Sequence, residues 1–361
     1  MNMRVLMLSV RSDFGGGPEH LFQLLQQLQK KENIKFYVAA PKGAPYKSEF
    51  ERLVSQNNFF LLPYRKFKVG SFLKLLAFVH KNKINILHSH GKGAGVYSRL
   101  VKMVMPKIKV VHTLHGYHDG NYGSIQKKVY ALLEGFFSIF TNKIINVSEG
   151  ERNAFINSVR VKFAKCIVIP NGVEDLKKHI NPKNEEGKGG FKICYLSRPE
   201  YQKNVDEILK ISVELLKLIE GRFCISVFGE VEPKLKNLML LDDHFDIKGS
   251  VKNVNNTFGE YDVFVNTSRW EGMPLSILEA MSSEVPVVAS NVTGNNSILR
   301  DGENGYLYEL YNVKDAAQKI ASVQAYREKA KQLVLQAKLD IMHEYSVVSM
   351  AENTFKLYCE L

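Results

Sequence analysis

The sequence is poor in the residues that mark an oxidising compartment or a membrane span. Only four cysteines occur among 361 residues, Cys166, Cys194, Cys224 and Cys359, and none forms a CxxC pair. That argues against a disulfide framework or a zinc ribbon and for reduced, mostly buried thiols. The first residues, MNMRVLMLSVRSDFGGG, lack the basic start, apolar stretch and small-residue cleavage site of a secretory leader. The most apolar window, Val129 to Val147, is interrupted by Glu134 and Lys143, and nothing reaches the roughly 20 uninterrupted apolar residues of a spanning helix. Low-complexity tracts and internal repeats are missing. So is any Asp-x-Asp triplet or any His/Cys/Asp run with metal-ligand spacing, so neither metal nor cofactor is expected. These absences predict a cytoplasmic chain, soluble or peripheral on the inner face of the cell membrane.

What remains is an ordinary globular composition, 45% hydrophobic and 24% charged. The length suits two cores of roughly 170 residues each. The net charge of +12 is unevenly placed. Residues 1–170 carry 26 Lys and Arg against 9 Asp and Glu, a balance of +17, while the remainder carries 23 against 28, a balance of −5. The basic half suggests an anionic partner, such as a phospholipid surface, a phosphorylated lipid or nucleic acid. A merely solubilising charge is the plainer alternative.

Short Val, Ile and Phe-rich runs alternate with helix-period segments. In the first half they are RVLMLSV, KFYVAAP, NFFLLP, INILHSH, KVVHTLHG and KIINVS. After Pro170-Asn171-Gly172 and the polar stretch Asn181 to Gly190, the pattern restarts with FKICYLS, RFCISVFG, HFDIKG, DVFVNTS, VPVVAS and GYLY. Buried parallel strands joined by helices read this way. Two doubly wound, Rossmann-like α/β domains are expected, with ligands beyond the carboxyl ends of the strands, in a cleft where the two face each other. The expected boundaries are 1–175, 176–343, and a terminal helix over 344–361 that crosses back to the first domain.

In RWEGMPLSILEAM, Arg269 to Met281, Pro274 suits a first helical turn, so a helix is predicted to begin near Met273. Its free N–H groups and dipole make an anion site. Glu279 then lies ~6 to 8 Å along the helix, about the step from a diphosphate to a ribose. A carboxylate accepts hydrogen bonds from vicinal hydroxyls, so Glu279 fits a ribose and Glu271 fits hydroxyls beyond the other end of the diphosphate. An exposed loop acid and a solvated helix acid are the bland alternative.

EGMPLSILEA resembles the E-x7-E motif of the retaining, family-four glycosyltransferases of the GT-B fold. The resemblance extends in order along nearly the whole chain through GGGPEH (Gly15 to His20), HTLHG, VIPNGVE, LSRPEYQKN and DGENGYLY. It implies an enzyme that transfers a hexose or N-acetylhexosamine from a nucleotide-sugar to a glycan or lipid-linked saccharide, with retained configuration and without metal. It further implies that Arg198 and Lys203 neutralise the donor diphosphate, that His115 supports the transferred sugar, and that Glu271 and Glu279 hold sugar and ribose. Backbone amides of Gly16, Gly17, Gly272, Met273 and Leu275, around Pro274, complete the contacts. EGMP looks more like members using UDP-sugars than GDP-mannose users. Ser197 before the arginine, Asn204 after the lysine and Gly229-Glu230-Val231 depart from the family pattern.

The basic stretches Tyr64 to Lys83, Tyr97 to Lys109 and Ile125 to Phe140 mix cations with apolar and aromatic residues, as surface-lying helices do. An anionic membrane surface is therefore an expected partner. His88, His90, His112 and His118 read as structural or acceptor-side. A UDP-N-acetylhexosamine 2-epimerase-like enzyme is one alternative, and a non-enzymatic binder of anionic lipid or nucleic acid another. No helix-turn-helix, RNP or zinc pattern supports nucleic acid.

Overall fold

The computed structural model describes residues 3–117, 123–175, 190–219, 221–251 and 254–361. His118 and most of the polar stretch Asn181 to Gly190 lie outside the described residues. The chain divides into two compact units, residues 1–172 with 347–361, and residues 173–346.

In unit 1, strands β1 (Met3–Ser9), β2 (Ile34–Ala40), β3 (Phe59–Leu61), β4 (Ile86–His90), β5 (Lys109–Thr113), β6 (Lys143–Asn146) and β7 (Cys166–Val168) form one parallel sheet. They are ordered β3-β2-β1-β4-β5-β6-β7. Between them run α1 (Gly16–Leu28), α2 (Tyr46–Val54), α3 (Val69–Lys81), α4 (Lys92–Val104), α5 (Ser124–Ile139) and α6 (Glu149–Val159). Strand β1 is apolar on both sides because both faces are covered, while β4 and β5 end in buried histidine, serine and threonine. Val5 and Met7 of β1 pack with Leu21, Leu24, Leu25 and Leu28 of α1. Leu6 and Leu8 pack on the other face with Leu75 and Val79 of α3 and Tyr97 and Val101 of α4. The strand β7 has no counterpart among the six runs read from the first half. It is three residues long, at the sheet edge, and its apolar run merges with the turn at Pro170-Asn171-Gly172, two residues beyond it.

Unit 2 repeats the plan. Strands β8 (Phe191–Ser197), β9 (Phe223–Gly229), β10 (Phe245–Gly249), β11 (Val263–Asn266), β12 (Val287–Ser290) and β13 (Tyr306–Tyr308) form a parallel sheet ordered β10-β9-β8-β11-β12-β13. Its helices are α7 (Val205–Leu215), α8 (Pro233–Leu240), α9 (Leu275–Ser282), α10 (Val313–Ala325) and α11 (Arg327–His343). Ile193, Tyr195, Ile225, Val227 and Val265 of the sheet pack with Ile208, Ile211, Ala317 and Ile320 of α7 and α10. The last helix, α12 (Val347–Cys359), belongs to unit 1, where Met350, Leu357 and Tyr358 join the core around α1.

In each sheet the order reverses beside the first strand of the unit, between β1 and β4 and between β8 and β11. Open α/β sheets bind ligands at the carboxyl end of such a switch point. Candidate site residues follow both pairs of strands.

Candidate functional site

In unit 2 the switch point is built from two loops, 198–204 after β8 and 267–274 after β11. The first makes a tight turn over Tyr201–Lys203, and Asn204 takes a left-handed backbone, φ 52°, before α7 begins. Buried Thr267 ties this turn to the sheet. Its hydroxyl donates to the Lys203 carbonyl at 3.0 Å and pairs with the Tyr195 hydroxyl at 2.8 Å.

Glu271 is the convergence point of the two loops. One carboxylate oxygen accepts from Lys203 Nζ at 2.7 Å and Ser268 Oγ at 2.7 Å, and the other from Gln202 Nε2 at 3.0 Å. The side chains of Lys203 and Glu271 are only 13% and 9% exposed, so the pair is fixed in one geometry and shielded from water. The Glu271 backbone is fixed too, its N–H donating to the Thr293 carbonyl at 2.9 Å. Gly294, in the segment after β12, has φ +95°, and a Cβ there would meet the Glu271 carbonyl at 2.5 Å, so only glycine lets that segment lie this close to Glu271.

Arg269 gives a second clasp that sequence reasoning missed. Its guanidinium lies 3.9 Å above the Tyr201 ring and pairs with Asp206 at 3.3 Å, and it also donates to the Tyr201 carbonyl. Its backbone N–H donates to the Gln202 carbonyl at 2.8 Å, and Gln202 Nε2 returns a bond to the Trp270 carbonyl at 2.8 Å. Nothing in the local sequence joins Arg269 to Tyr201. Arg198, by contrast, is held loosely, its guanidinium 3.8 Å from the Glu200 carboxylate.

The helix after this loop begins two residues later than expected. Pro274 is the cap rather than part of the first turn, with an extended backbone, ψ 119°. Its carbonyl accepts from the N–H groups of Ile277 and Leu278. Met273 and Leu275 are buried, while Glu271, Gly272 and Glu279 are half-buried. Glu279 is the fifth residue of α9.

In unit 1, His115 follows β5 with a left-handed backbone, φ 58°, a conformation a non-glycine residue adopts only when its surroundings enforce it. The buried Glu151 does so: its carboxylate accepts from the N–H groups of Gly116, Tyr117 (2.7 Å) and Val147 (2.7 Å). Burial raises the Glu151 pKa, and those three donors oppose the rise. Gly16 and Gly17 open α1, and a side chain at Gly17 would meet nothing within 4 Å.

His115 Nε2 shares a hydrogen bond of 3.0 Å with His90 Nδ1, and the His20 ring meets the His115 ring edge-on at 4.5 Å between centroids. Ring nitrogens of these three histidines lie within 4.8 Å of one another. They come from α1, β4 and the loop after β5, so no spacing in the sequence announces them. Burial lowers His20 to about 4 and drives His90 and His115 well below the usual imidazole value. All three are thus neutral at pH 7 and able to donate to or accept from sugar hydroxyls, or to hold a borderline transition ion. His88 uses both ring nitrogens in internal bonds, whereas His112 uses only Nδ1. His88 pairs with Tyr358 of α12 at 2.5 Å and Thr113 at 2.8 Å, and His112 with Ser89 at 2.9 Å.

Comparison with known proteins agrees with this architecture. The sequence profile described as Glycosyl transferases group 1 matches residues 177–340, and that described as Glycosyltransferase Family 4 matches residues 14–175. The chain is 32% identical over 261 residues, 67% of each chain, to the UDP-Gal:alpha-D-GlcNAc-diphosphoundecaprenol alpha-1,3-galactosyltransferase of Escherichia coli. It is 26% identical to the O-antigen biosynthesis glycosyltransferase WbnH of the same species, over 89% of this chain and 91% of that one. The crystal structure of Anabaena Alr3699/HepE in complex with UDP and glucose superimposes with a TM-score of 0.85 at 17% identity, covering 99% and 100% of the two chains.

Proposed function

The chain belongs to the family-four glycosyltransferases of the GT-B fold, and from that premise we propose that it transfers a hexose or N-acetylhexosamine from a UDP-sugar to a glycan or lipid-linked saccharide in surface polysaccharide synthesis. The transfer retains anomeric configuration and needs no metal. The acceptor is presented at an anionic membrane surface on the cytoplasmic side.

The observation that carries this proposal is the convergence of Lys203, Gln202 and Ser268 on Glu271 at the carboxyl end of β8 and β11. A lysine held against a carboxylate in a half-enclosed loop is poised to exchange part of that attraction for a diphosphate. Its charge then stabilises the leaving group as the glycosidic bond breaks. Arg198, loosely paired, supplies the second cation. Glu271 receives sugar hydroxyls, Glu279 the ribose diol, and the amides of Gly272, Met273 and Leu275 around the Pro274 cap the phosphate oxygens. His115, Gly16 and Gly17 are assigned to the transferred sugar. Two cations and a helix end supply the charge that a divalent ion provides elsewhere.

UDP is favoured over GDP because the E. coli relative is named for UDP-Gal, and its named acceptor is a diphosphoundecaprenol-linked sugar. A calorimetric titration with UDP-Gal, UDP-GlcNAc, UDP-Glc and GDP-Man in excess EDTA tests the donor assignment. One UDP-sugar should bind with 1:1 stoichiometry, and Arg198→Ala should weaken it by at least about tenfold. Binding of GDP-Man alone, or of no donor until a divalent ion is added, would overturn it.

A further inference from the structure

Helix α5 is built inside out. Among its described side chains the one that is buried is a carboxylate, Glu134, 4% exposed. It pairs at 3.0 Å with Arg99 of α4, which is wholly buried. Tyr130 and Phe137 sit half-buried on the inner side, but six apolar residues point the other way. Ile125 (78% exposed), Val129, Leu132 (74%), Leu133, Phe136 and Ile139 all face solvent. At 100° per residue these six fall within an arc of about 120°, with Glu134 about 160° from its centre. An ordinary surface helix buries such a stripe in its own core.

The orientation is fixed from beneath. Arg99 Nε donates to Thr141 Oγ1 at 3.1 Å, just past the end of the helix, and its guanidinium lies 5.4 Å from the centre of the Phe137 ring. Rolling α5 to bury its leucines would expose Glu134 and strand the Arg99 charge in the interior, which is costlier than leaving the stripe outside. The stripe therefore stays available to something other than this chain's own core.

Charge selects what covers it. Residues 1–170 carry 26 basic against 9 acidic side chains, and the exposed Lys128 of α5 flanks the stripe, about 80° from its centre. A second copy of the chain would bring another strongly basic half against the same face, and like charges would oppose the contact. A bilayer of anionic lipid meets both demands, apolar depth for the stripe and phosphates for Lys128 and the basic half that carries it. No described helix is long and apolar enough to cross a membrane, so α5 would lie in the interface plane. We propose that α5 docks unit 1 onto an anionic bilayer, its six apolar side chains seated at the boundary of headgroups and acyl chains. This rests on the proposal that the acceptor is borne by a lipid.

The test uses the full chain and vesicles of phosphatidylglycerol with phosphatidylethanolamine, against vesicles of phosphatidylcholine. The protein should co-sediment with the anionic vesicles, less so at high salt. A triple variant, Ile125→Gln, Leu132→Gln and Phe136→Gln, should lose at least about tenfold in partitioning. It should keep its thermal midpoint and its turnover of a short-chain, water-soluble acceptor, while transfer to an acceptor embedded in vesicles falls. Unchanged partitioning of the triple variant would overturn the proposal, as would indifference of the natural protein to anionic vesicles. So would a dimer in lipid-free solution that the same substitutions dissociate. Failure of the transferase proposal would look different, since turnover of the soluble acceptor would be missing while vesicle binding persisted.

Discussion

Lys203 and Glu271 hold each other at 2.7 Å, with Gln202 and Ser268 satisfying the remaining carboxylate capacity. Glu271→Gln keeps the volume and removes the charge that positions Lys203. Transfer should fall by roughly two to three orders of magnitude in kcat/KM, the usual scale for losing one preorganised electrostatic contact. Lys203→Ala should cost at least as much activity. It should also lower stability by ~1–3 kcal/mol, because a carboxylate only 9% exposed loses its counter-charge. Glu279→Ala should act differently, raising donor KM several-fold with little change in kcat, since a ribose contact is made equally before and during reaction. Steady-state kinetics that gave Glu279→Ala and Glu271→Gln the same profile would remove the distinction between their roles. Glu271 and Glu279 were legible as a pair from their spacing and from the helix between them. The partnership of Glu271 with Lys203 was not, because 68 residues separate them and only the fold brings β8 and β11 side by side.

Among elements, the strands were the most legible, because those of a doubly wound sheet are apolar on both faces and stand out as continuous runs. The edge strand β7 escaped, unlike the equally short β3 and β13, because its apolar run merges with the Pro170-Asn171-Gly172 turn. The start of α9 was misplaced because a proline suits both a cap and a first turn, and ψ of 119° at Pro274 decides for the cap. The histidine group at positions 20, 90 and 115 escaped for the same reason as the ion pair: three separate elements meet only at the carboxyl edge of the sheet. At the end of β9 one departure from the family pattern, Ser197, has a structural use beside a glycine that keeps it. Gly229 has φ +98°, and a Cβ there would lie 2.1 Å from the Ser197 carbonyl, while Ser197 Oγ donates to the Glu230 carbonyl at 2.8 Å. Gly229→Ala should therefore push apart the ends of β8 and β9 and lower stability by ~2–4 kcal/mol. A drop in the thermal midpoint should accompany weakened donor binding. An unchanged midpoint would mean that the close approach is not required.

For the molecule as a whole, the buried histidines of unit 1 couple folding to pH. Burial lowers His20 to about 4 and His88 to about 3, with His90, His112 and His115 also well below the usual value. Their folded-state pKa values are depressed, so the unfolded chain binds more protons once pH falls below about 6.5. The stability they permit is complete above that pH and is lost as pH falls towards the folded values, at up to about 1.4 kcal/mol per pH unit for each histidine. Thermal unfolding followed from pH 8 to pH 5 should be flat above neutrality and then decline. The decline should be shallower in His90→Gln, and equal slopes would sink the assignment. The lopsided charge of the chain, +17 in residues 1–170 against −5 beyond, was legible from composition alone, but which face uses it was not. The most direct measurement of the central claim is the transfer reaction itself, with a UDP-sugar, a lipid-diphosphate-linked sugar acceptor and excess EDTA, the product's new linkage read by NMR. The account predicts turnover in EDTA, an α linkage from the α-configured donor, and its loss in Glu271→Gln. Transfer that requires a divalent ion, a β-linked product, or full activity in Glu271→Gln would contradict it.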